Sequence, residues 1–141
     1  MDTTVLSELR KGERANAHLL DWFSHVADRE IHLSVLVIGQ VRRAVETIRR
    51  RDEAQAAALA RWLTQLLAAH AERIISVDDR VADEWGRLAA IRTAPVVDTL
   101  MAATALVHGL VLVTRNVEDV TWTGASCLDP FVPPRAAASA R

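Results

Sequence analysis

The sequence predicts an α/β domain with a mostly parallel central sheet of four to five short strands. Short apolar runs rich in β-branched residues alternate with longer segments of helical periodicity. The runs are joined by helical crossovers rather than tight hairpins, which is typical of parallel strands. A chain of 141 residues is also long enough to bury a core without disulfides or a structural metal. The expected order is β-α-α-β-α-α-β-α-α-β-loop-β.

Composition narrows the class of protein. No apolar run is long enough to span a bilayer, and the N-terminal segment MDTTVLSELRKG lacks the regions of a signal peptide, so we expect a soluble protein with no membrane partner. The only cysteine, Cys127, excludes a disulfide framework and is expected to be a small hydrophobe on a late strand. The net charge of −1, from 17 basic and 18 acidic residues, does not indicate a nucleic-acid binder.

The N-terminus predicts a short strand that ends at Asp2 and a helix capped by Thr4. Such a strand would place a carboxylate at its carboxyl end, where ligands bind in open α/β sheets. Because only Met1 precedes Asp2, the alternative is a plain helix-capping aspartate at a frayed chain end.

The middle of the chain predicts a helical hairpin, formed by the arginine-bearing helix and the next helix, with short strands on either side. Ser34 is expected to cap a helix from Val35 that carries Gln40, and Asp78 or Asp79 to cap a later helix. Helices are further expected over residues 16–27 and 52–74, and strands over residues 31–33, 74–77 and 126–128.

Residues 93–119 are the most informative segment. Pro95 is typical of the first turn of a helix, where its absent N–H costs nothing, and Gly109 is a natural helix stop. The apolar run 110–113 then predicts a strand buried on both faces, so residues 114–116 follow its carboxyl end. Asp98 is a lone carboxylate near the start of the helix. It is either favoured by the helix dipole, paired, or coordinating a cation.

Five polar side chains are expected to converge at the carboxyl ends of the strands: Asp2, Gln40, Asp98, Asn116 and Asp119. Carboxylates gathered around one point repel each other unless a hard cation lies between them. Mg²⁺ or Mn²⁺ in such a cluster can activate water and stabilise the charge that develops on a phosphodiester. These residues therefore predict metal-assisted hydrolysis of nucleic acid. Neither GxGxxG nor a P-loop occurs, which argues against the usual nucleotide-binding folds.

Four segments, in this order and spacing, carry a family resemblance: DTTVLSELR, LSVLVIGQVRRAVE, PVVDTLMAATALVHGLVLVTRN and VEDV. Together they resemble the PIN-domain family, specifically the VapC ribonuclease toxins of bacterial toxin–antitoxin systems, over residues 2–130. The resemblance implies a cytoplasmic three-layer α/β/α domain that cleaves RNA with Mg²⁺ or Mn²⁺. It also implies a homodimer and a VapB-type antitoxin whose C-terminal segment lies across the active cleft.

The resemblance assigns roles residue by residue. Asp2 matches the first acidic position and Asp98 the third, which makes them the main metal ligands. Asn116 stands after Thr-Arg, where the family has Asp or Asn, and Asp119 is the remaining nearby carboxylate and metal ligand. Arg115 is implied to stabilise the scissile phosphate, with a structural ion pair as the alternative.

Two departures from the family pattern stand out. Gln40 occupies the position of the second acid, and because an amide supplies no negative charge and cannot act as a base, it predicts weak metal affinity and low activity. The family also has several apolar residues before the first acid, so a shortened first strand is expected to hold Asp2 loosely.

Two functions therefore remain open. One is an RNA-cleaving toxin, attenuated by Gln40 and bound by an antitoxin. The other is a non-catalytic binding module that keeps the antitoxin-binding or RNA-binding surface. A different α/β enzyme based on histidine is disfavoured because the five histidines show no paired metal-ligand spacing.

Two surface features complete the expectations. Arg42, Arg43, Arg49, Arg50 and Arg51 are expected to form a solvated helix face, with phosphate contact as the alternative. Residues 131–141 are expected to be a disordered tail, which leaves residues 1–130 as the domain.

Overall fold

The computed structural model describes residues 1–134, and in this range seven helices surround four short strands. The helices are α1 (Thr3–Leu9), α2 (Ala17–Ser24), α3 (Val35–Arg49), α4 (Glu53–Ala69), α5 (Asp79–Ile91), α6 (Val96–His108) and α7 (Val117–Val120). The strands are β1 (Leu33–Ser34), β2 (Ile74–Ile75), β3 (Leu112–Val113) and β4 (Cys127–Leu128). This alternation confirms the predicted α/β class, although α7 was not predicted.

The strands pair in parallel but do not form one continuous sheet. Leu33 of β1 lies opposite Ile74 of β2, and Leu112 of β3 lies opposite Cys127 of β4. The predicted central sheet is therefore divided into two sheets of two strands each. The strand predicted to end at Asp2 does not form, because Met1 and Asp2 alone are too short to build a ladder.

Side-chain caps set the starts of most of the long helices. Ser34 accepts a hydrogen bond from the Leu36 N–H (3.1 Å), as predicted, and Asp78 accepts one from the Val81 N–H (3.0 Å). The prediction of Thr4 as the first cap is wrong. Asp2 has the extended backbone that a cap requires, and Thr4 already lies inside the helix.

The core lies where the helical hairpins meet the strands. Helix α3 packs against α4, and α5 packs against α6. The largest buried cluster includes Leu33, Val37, Leu63, Ala102 and Leu112. Because the buried face of α6 consists mainly of alanine and threonine, its backbone can approach β3 closely.

The C-terminal end of α6 is a left-handed turn at Gly109, with φ of 62°. The Leu110 N–H then donates to the Ala105 carbonyl (2.9 Å), which closes the helix and directs the chain into β3. This turn places Thr114, Arg115 and Asn116 just beyond the carboxyl end of the strand, as predicted.

The segment after β4 contributes to the core. Phe131 is buried against Val5, Leu19 and Val113, although the tail was expected to begin at residue 131. Residues 135–141 of that expected tail lie outside the described residues. No helix within residues 1–134 combines the length and the apolar character needed to cross a membrane.

Replacing Gly109 with alanine is expected to lower the free energy of unfolding by about 1 kcal/mol, because alanine is strained at positive φ while no neighbouring atom obstructs its methyl group. Chemical denaturation measures this loss. Gly86→Ala is the matched control: Gly86 lies in the interior of α5 with open space around it, so alanine should stabilise the protein by about 0.5–1 kcal/mol. Equal effects of the two substitutions on the free energy of unfolding would contradict the assignment of Gly109 as a left-handed helix end.

Candidate active site

The carboxylate of Asp2 is held by groups from two distant parts of the chain. Its Oδ1 accepts a hydrogen bond from the Val5 N–H (3.0 Å) at the start of α1. Its Oδ2 accepts one from the Thr114 hydroxyl (2.5 Å), which follows β3. The Asp2 N–H also donates to the Val113 carbonyl (3.0 Å). Asp2 is thereby fixed at the carboxyl end of β3, as its predicted role requires.

Gln40 lies on α3 beside the same turn of α1. Its Oε1 accepts a hydrogen bond from the Thr3 hydroxyl, and its side chain is half-buried. Because Thr3 follows Asp2 directly, this bond brings Gln40 next to the first predicted acid. Positions 2 and 40 are therefore neighbours in the fold, as predicted, and position 40 carries an amide instead of a carboxylate.

Asp98 lies in the first turn of α6 and interacts electrostatically with two other carboxylates. Partial burial raises the pKa of Asp98, and the negative charges of Asp119 and Asp2 raise it further. Because the causes include both of these side chains, the fold brings all three predicted carboxylates into one electrostatic neighbourhood. The helix dipole alone would have lowered the pKa, so it is not the dominant influence.

Asn116, Asp119 and Arg115 lie at the outer edge of this neighbourhood, and all three are exposed. The Asn116 N–H donates to the Thr114 hydroxyl (3.1 Å), while the Asp119 N–H donates to the Asn116 carbonyl (3.1 Å). The Arg115 guanidinium lies over the ring of Phe131, 4.7 Å from its centroid. Arg115 therefore makes a cation–π contact, in addition to the two roles considered from the sequence.

A cavity of about 570 Å³ adjoins these residues. Arg115, Asn116 and Asp119 line one part of it, and Asp129 and Pro133 line another. The two predicted ligands at this edge are thus accessible from a recess large enough for a small organic group.

The donor atoms suit a hard divalent cation, but they are not gathered closely. Within residues 1–134, no three side chains of the His, Cys, Asp and Glu types lie near enough to hold a metal ion together. Carboxylate and amide oxygens are nevertheless the ligands that Mg²⁺ and Mn²⁺ prefer. The mutual repulsion at Asp98 is the condition that such a cation relieves, so the residues fit the predicted metal in chemistry.

Sequence reasoning assigned no role to two threonines that organise the site. Thr114 is buried and connects Asp2 with the backbone of Asn116, and Thr3 connects Gln40 with α1. Only their positions distinguish them in the sequence. Thr114 directly follows β3, and Thr3 directly follows the predicted ligand Asp2.

The arginines of α3 lie on an exposed face, and Arg42 and Arg49 pair with Glu46 at 3.8 and 3.2 Å.

Comparison with protein families identifies the class of the domain. Residues 1–118 match the family model described as PIN domain, so the chain belongs to the PIN domain family.

Individual relatives are similar to this chain over nearly its full length. The chain is 28% identical to the plasmid stability protein StbB of Pseudomonas syringae pv. tomato, covering 93% of this chain and 96% of the relative. It is also 28% identical to the VapC ribonuclease Y4jK of Sinorhizobium fredii, covering 94% and 97% of the two chains. Its fold is similar to the crystal structure of FitAcB from Neisseria gonorrhoeae, with a TM-score of 0.82, 23% identity and coverage of 92% and 96%.

Replacing Asp98 with asparagine is expected to stabilise the metal-free protein at pH 7. A native carboxyl pKa above its ordinary value of 3.8 means that ionisation of Asp98 opposes folding. This penalty is absent below that ordinary value, develops as the pH rises through the native pKa, and is complete above it. Asp98→Asn should therefore raise Tm by a few degrees at pH 7 in EDTA, and the gain should disappear near pH 3.5.

Asp83→Asn is the control, because Asp83 is an exposed carboxylate on α5. Thermal unfolding of both variants across this pH range checks the expectation. If Asp98→Asn lowers Tm at pH 7, the repulsion inferred at this position is not the dominant effect.

Proposed function

We propose that this protein is the toxin of a VapBC-type toxin–antitoxin pair, a metal-dependent endoribonuclease whose activity is attenuated by Gln40. The observation that carries the proposal is the electrostatic neighbourhood of Asp2, Asp98 and Asp119 in a chain of the PIN domain family. Similarity to the VapC ribonuclease Y4jK supports cleavage of RNA as the reaction.

Asp2 and Asp98 are proposed as the main metal ligands, with Asn116 and Asp119 as further oxygen donors. A bound Mg²⁺ or Mn²⁺ would supply an activated water and would stabilise negative charge on the phosphodiester. The chain's own contribution is to orient the ligands. The Thr114 hydroxyl and the Val5 N–H fix the plane of the Asp2 carboxylate, as hydrogen bonds to ligating carboxylates do in metal sites.

Gln40 reduces the negative charge of the cluster by one. Its Oε1 is already engaged by the Thr3 hydroxyl, and a neutral amide attracts a cation less than a carboxylate does. The substitution also removes a group that could accept a proton from water. Both effects lower activity, while the lower charge reduces repulsion within the metal-free cluster.

The substrate is proposed to approach over the exposed edge of the site. Arg115, Asn116 and Asp119 line the cavity, so it contacts two of the proposed oxygen donors, and a guanidinium is suited to bind a phosphate oxygen. The contact of Arg115 with Phe131 restricts the guanidinium without neutralising its charge. Arg115 can therefore position RNA beside the proposed metal ligands.

The partner is proposed to be a VapB-type antitoxin, and the toxin to be a homodimer, as the resemblance to VapC toxins implies. A segment lying across the cleft would cover Asn116 and Asp119, both of which are exposed. Occlusion of these side chains would prevent access of RNA.

A non-catalytic binding module is the second candidate. Gln40 favours it, as does the absence of three closely gathered ligand side chains among residues 1–134. In this case the chain retains the fold and the binding surface without hydrolysis.

Replacing Gln40 with glutamate is expected to raise the rate of RNA cleavage by at least about 100-fold, because the substitution restores a charge and a proton acceptor to the cluster. Cleavage of a mixed pool of structured RNAs in Mg²⁺, Mn²⁺ or EDTA measures this gain. The thermal shift caused by Mn²⁺ should increase in the same variant, which gives a readout independent of the RNA chosen.

Gln65→Glu is the matched control, since it makes the same change of charge on the exposed surface of α4. Adding Asp98→Asn to Gln40→Glu should abolish the gained activity. Cleavage that persists in this double variant would remove Asp98 from the site. If neither the original chain nor the Gln40→Glu variant cleaves RNA while both bind an antitoxin, the binding module is the correct function.

A further inference from the structure

The arginines of α3 lie on two stripes that run along different sides of the helix. At 3.6 residues per turn, each stripe falls within an arc of roughly 60–80° around the helix axis. The site-side stripe consists of Gln40, Arg43, Thr47 and Arg50. The far stripe consists of Arg42, Glu46 and Arg49. Arg50 follows the helical direction because its backbone is still helical, with φ of −65° and ψ of −21°. The arginines therefore do not form one uniform surface.

The far stripe is neutralised by carboxylates of α3 and α4. The Glu46 carboxylate lies 3.8 Å from the guanidinium of Arg42 and 3.2 Å from that of Arg49. Arg49 also lies 2.6 Å from the Glu53 carboxylate at the start of α4. Ion pairs between neighbouring turns are typical of a solvated helix face. The far stripe therefore agrees with the first interpretation of these arginines from the sequence.

The two arginines of the site-side stripe lack such partners. Arg43 and Arg50 are exposed, and neither forms an ion pair within residues 1–134. Glu46 and Glu53 are spaced to pair with Arg50, but both bond to Arg49 instead. Two positive charges, two turns and about 10.5 Å apart along the axis, are thus left to attract an anion from outside the domain.

The site-side stripe begins at the proposed active site. Gln40, at its start, accepts a hydrogen bond from the hydroxyl of Thr3, the residue after Asp2. Gln40 is half-buried, whereas Arg43 and Arg50 are exposed, so the stripe emerges from the site towards solvent. Its length from Gln40 to Arg50 is about 15 Å. A ligand that lies along the stripe would therefore reach the proposed metal ligands at one end.

We propose that the site-side stripe binds the sugar–phosphate backbone of the RNA strand beside the bond that is cleaved. The inference rests on the proposed ribonuclease function and assigns Arg43 and Arg50 to phosphates that do not react. A guanidinium is always charged, and its planar fork matches the oxygens of a phosphate. The arginines thus hold the strand while the scissile phosphate lies at the carboxylates.

The composition of the stripe favours nucleic acid over a protein partner. All four of its side chains are polar, whereas protein interfaces depend on aromatic or aliphatic anchors that become buried. The stripe also contains no aromatic ring on which a base could stack. Recognition through phosphates alone adds affinity without sequence preference. The stripe therefore contributes to binding of RNA and not to the choice of cleavage site.

The test compares two double variants of the full chain. Arg43→Gln with Arg50→Gln alters the site-side stripe, and Arg42→Gln with Arg49→Gln is the matched control, because both remove two charges at the same spacing from one helix. Each protein is titrated with single-stranded oligouridine and oligoadenosine of ~12 nucleotides in EDTA, which prevents metal-dependent cleavage. Thermal unfolding verifies that both variants are folded.

The site-side variant should bind both RNAs at least about fivefold more weakly than the original chain at ~0.15 M salt. Its affinity should also depend less on salt, with a slope of log K against log salt that is shallower by about 1.4 for two lost phosphate contacts. The control should retain its affinity within about twofold, since its arginines are already paired.

A charge-retaining variant checks the cause of the loss. Arg43→Lys with Arg50→Lys keeps both charges and should recover most of the affinity. Equal RNA affinities of the two glutamine variants would overturn the proposal, as would a lysine variant that binds as weakly as the site-side glutamine variant. If the site-side variant loses binding of polyglutamate but not of RNA, the surface serves an acidic protein segment and the proposal is wrong.

Kinetics in the Gln40→Glu background separate this proposal from the ribonuclease function. The site-side substitutions should raise KM and leave kcat nearly unchanged, because the phosphates they contact do not react. Cleavage with equal KM in the two glutamine variants would overturn the role of the stripe and leave the ribonuclease function intact. Weaker RNA binding by the site-side variant, without cleavage by any of the proteins, would support the stripe as an RNA-binding surface and reject the ribonuclease function.

Discussion

The hydrogen bond from the Thr114 hydroxyl to the Asp2 carboxylate joins residues 112 positions apart, and the arrangement of the site depends on it. Asp2 simultaneously caps α1, so the bond ties the first helix to the end of β3. The same threonine oxygen accepts from the Asn116 N–H and positions the turn that leads to Asp119. One hydroxyl therefore orients a proposed ligand from each end of the domain, and it can do so because the Asp2 N–H also bonds to the Val113 carbonyl of β3.

The second constraint is the balance of charge around Asp98. Burial and the charges of Asp119 and Asp2 raise the pKa of Asp98, so the metal-free cluster opposes folding at neutral pH. A carboxylate at position 40 would add to this repulsion beside Asp2, whereas Gln40 does not. The amide that is proposed to weaken attraction for a cation thus also avoids further repulsion in the cluster when no cation is bound. The proposed attenuation and the lower repulsion within the metal-free cluster therefore have a common electrostatic cause.

Local sequence signals predicted the elements that depend on nearby residues. Ser34, Asp78 and Gly109 act through hydrogen bonds or backbone angles within a few positions, and each lies where its pattern indicated. The incorrect predictions concern the choice between two neighbouring capping residues and the contacts between segments that are remote in the sequence. Asp2 and Thr4 are both capping residue types, with aspartate the stronger, and the structure places the cap at Asp2. The division of the sheet and the role of Thr114 depend on contacts between remote segments, for which a single sequence provides no signal.

The contacts of Gln40 and of Asp2 meet at one turn of the structure. Gln40 accepts a hydrogen bond from the Thr3 hydroxyl, and the Asp2 N–H donates to the Val113 carbonyl of β3, so both contacts act on the first residues of α1. A displacement of this turn would move the Asp2 carboxylate and the partner of Gln40 together. A carboxylate at position 40 would supply charge, but its distance from Asp2 depends on the hydrogen bond that holds Asp2 against β3. Charge at position 40 and the contact of Asp2 with β3 are therefore coupled conditions for assembling the proposed site, because both act through the same cap of α1.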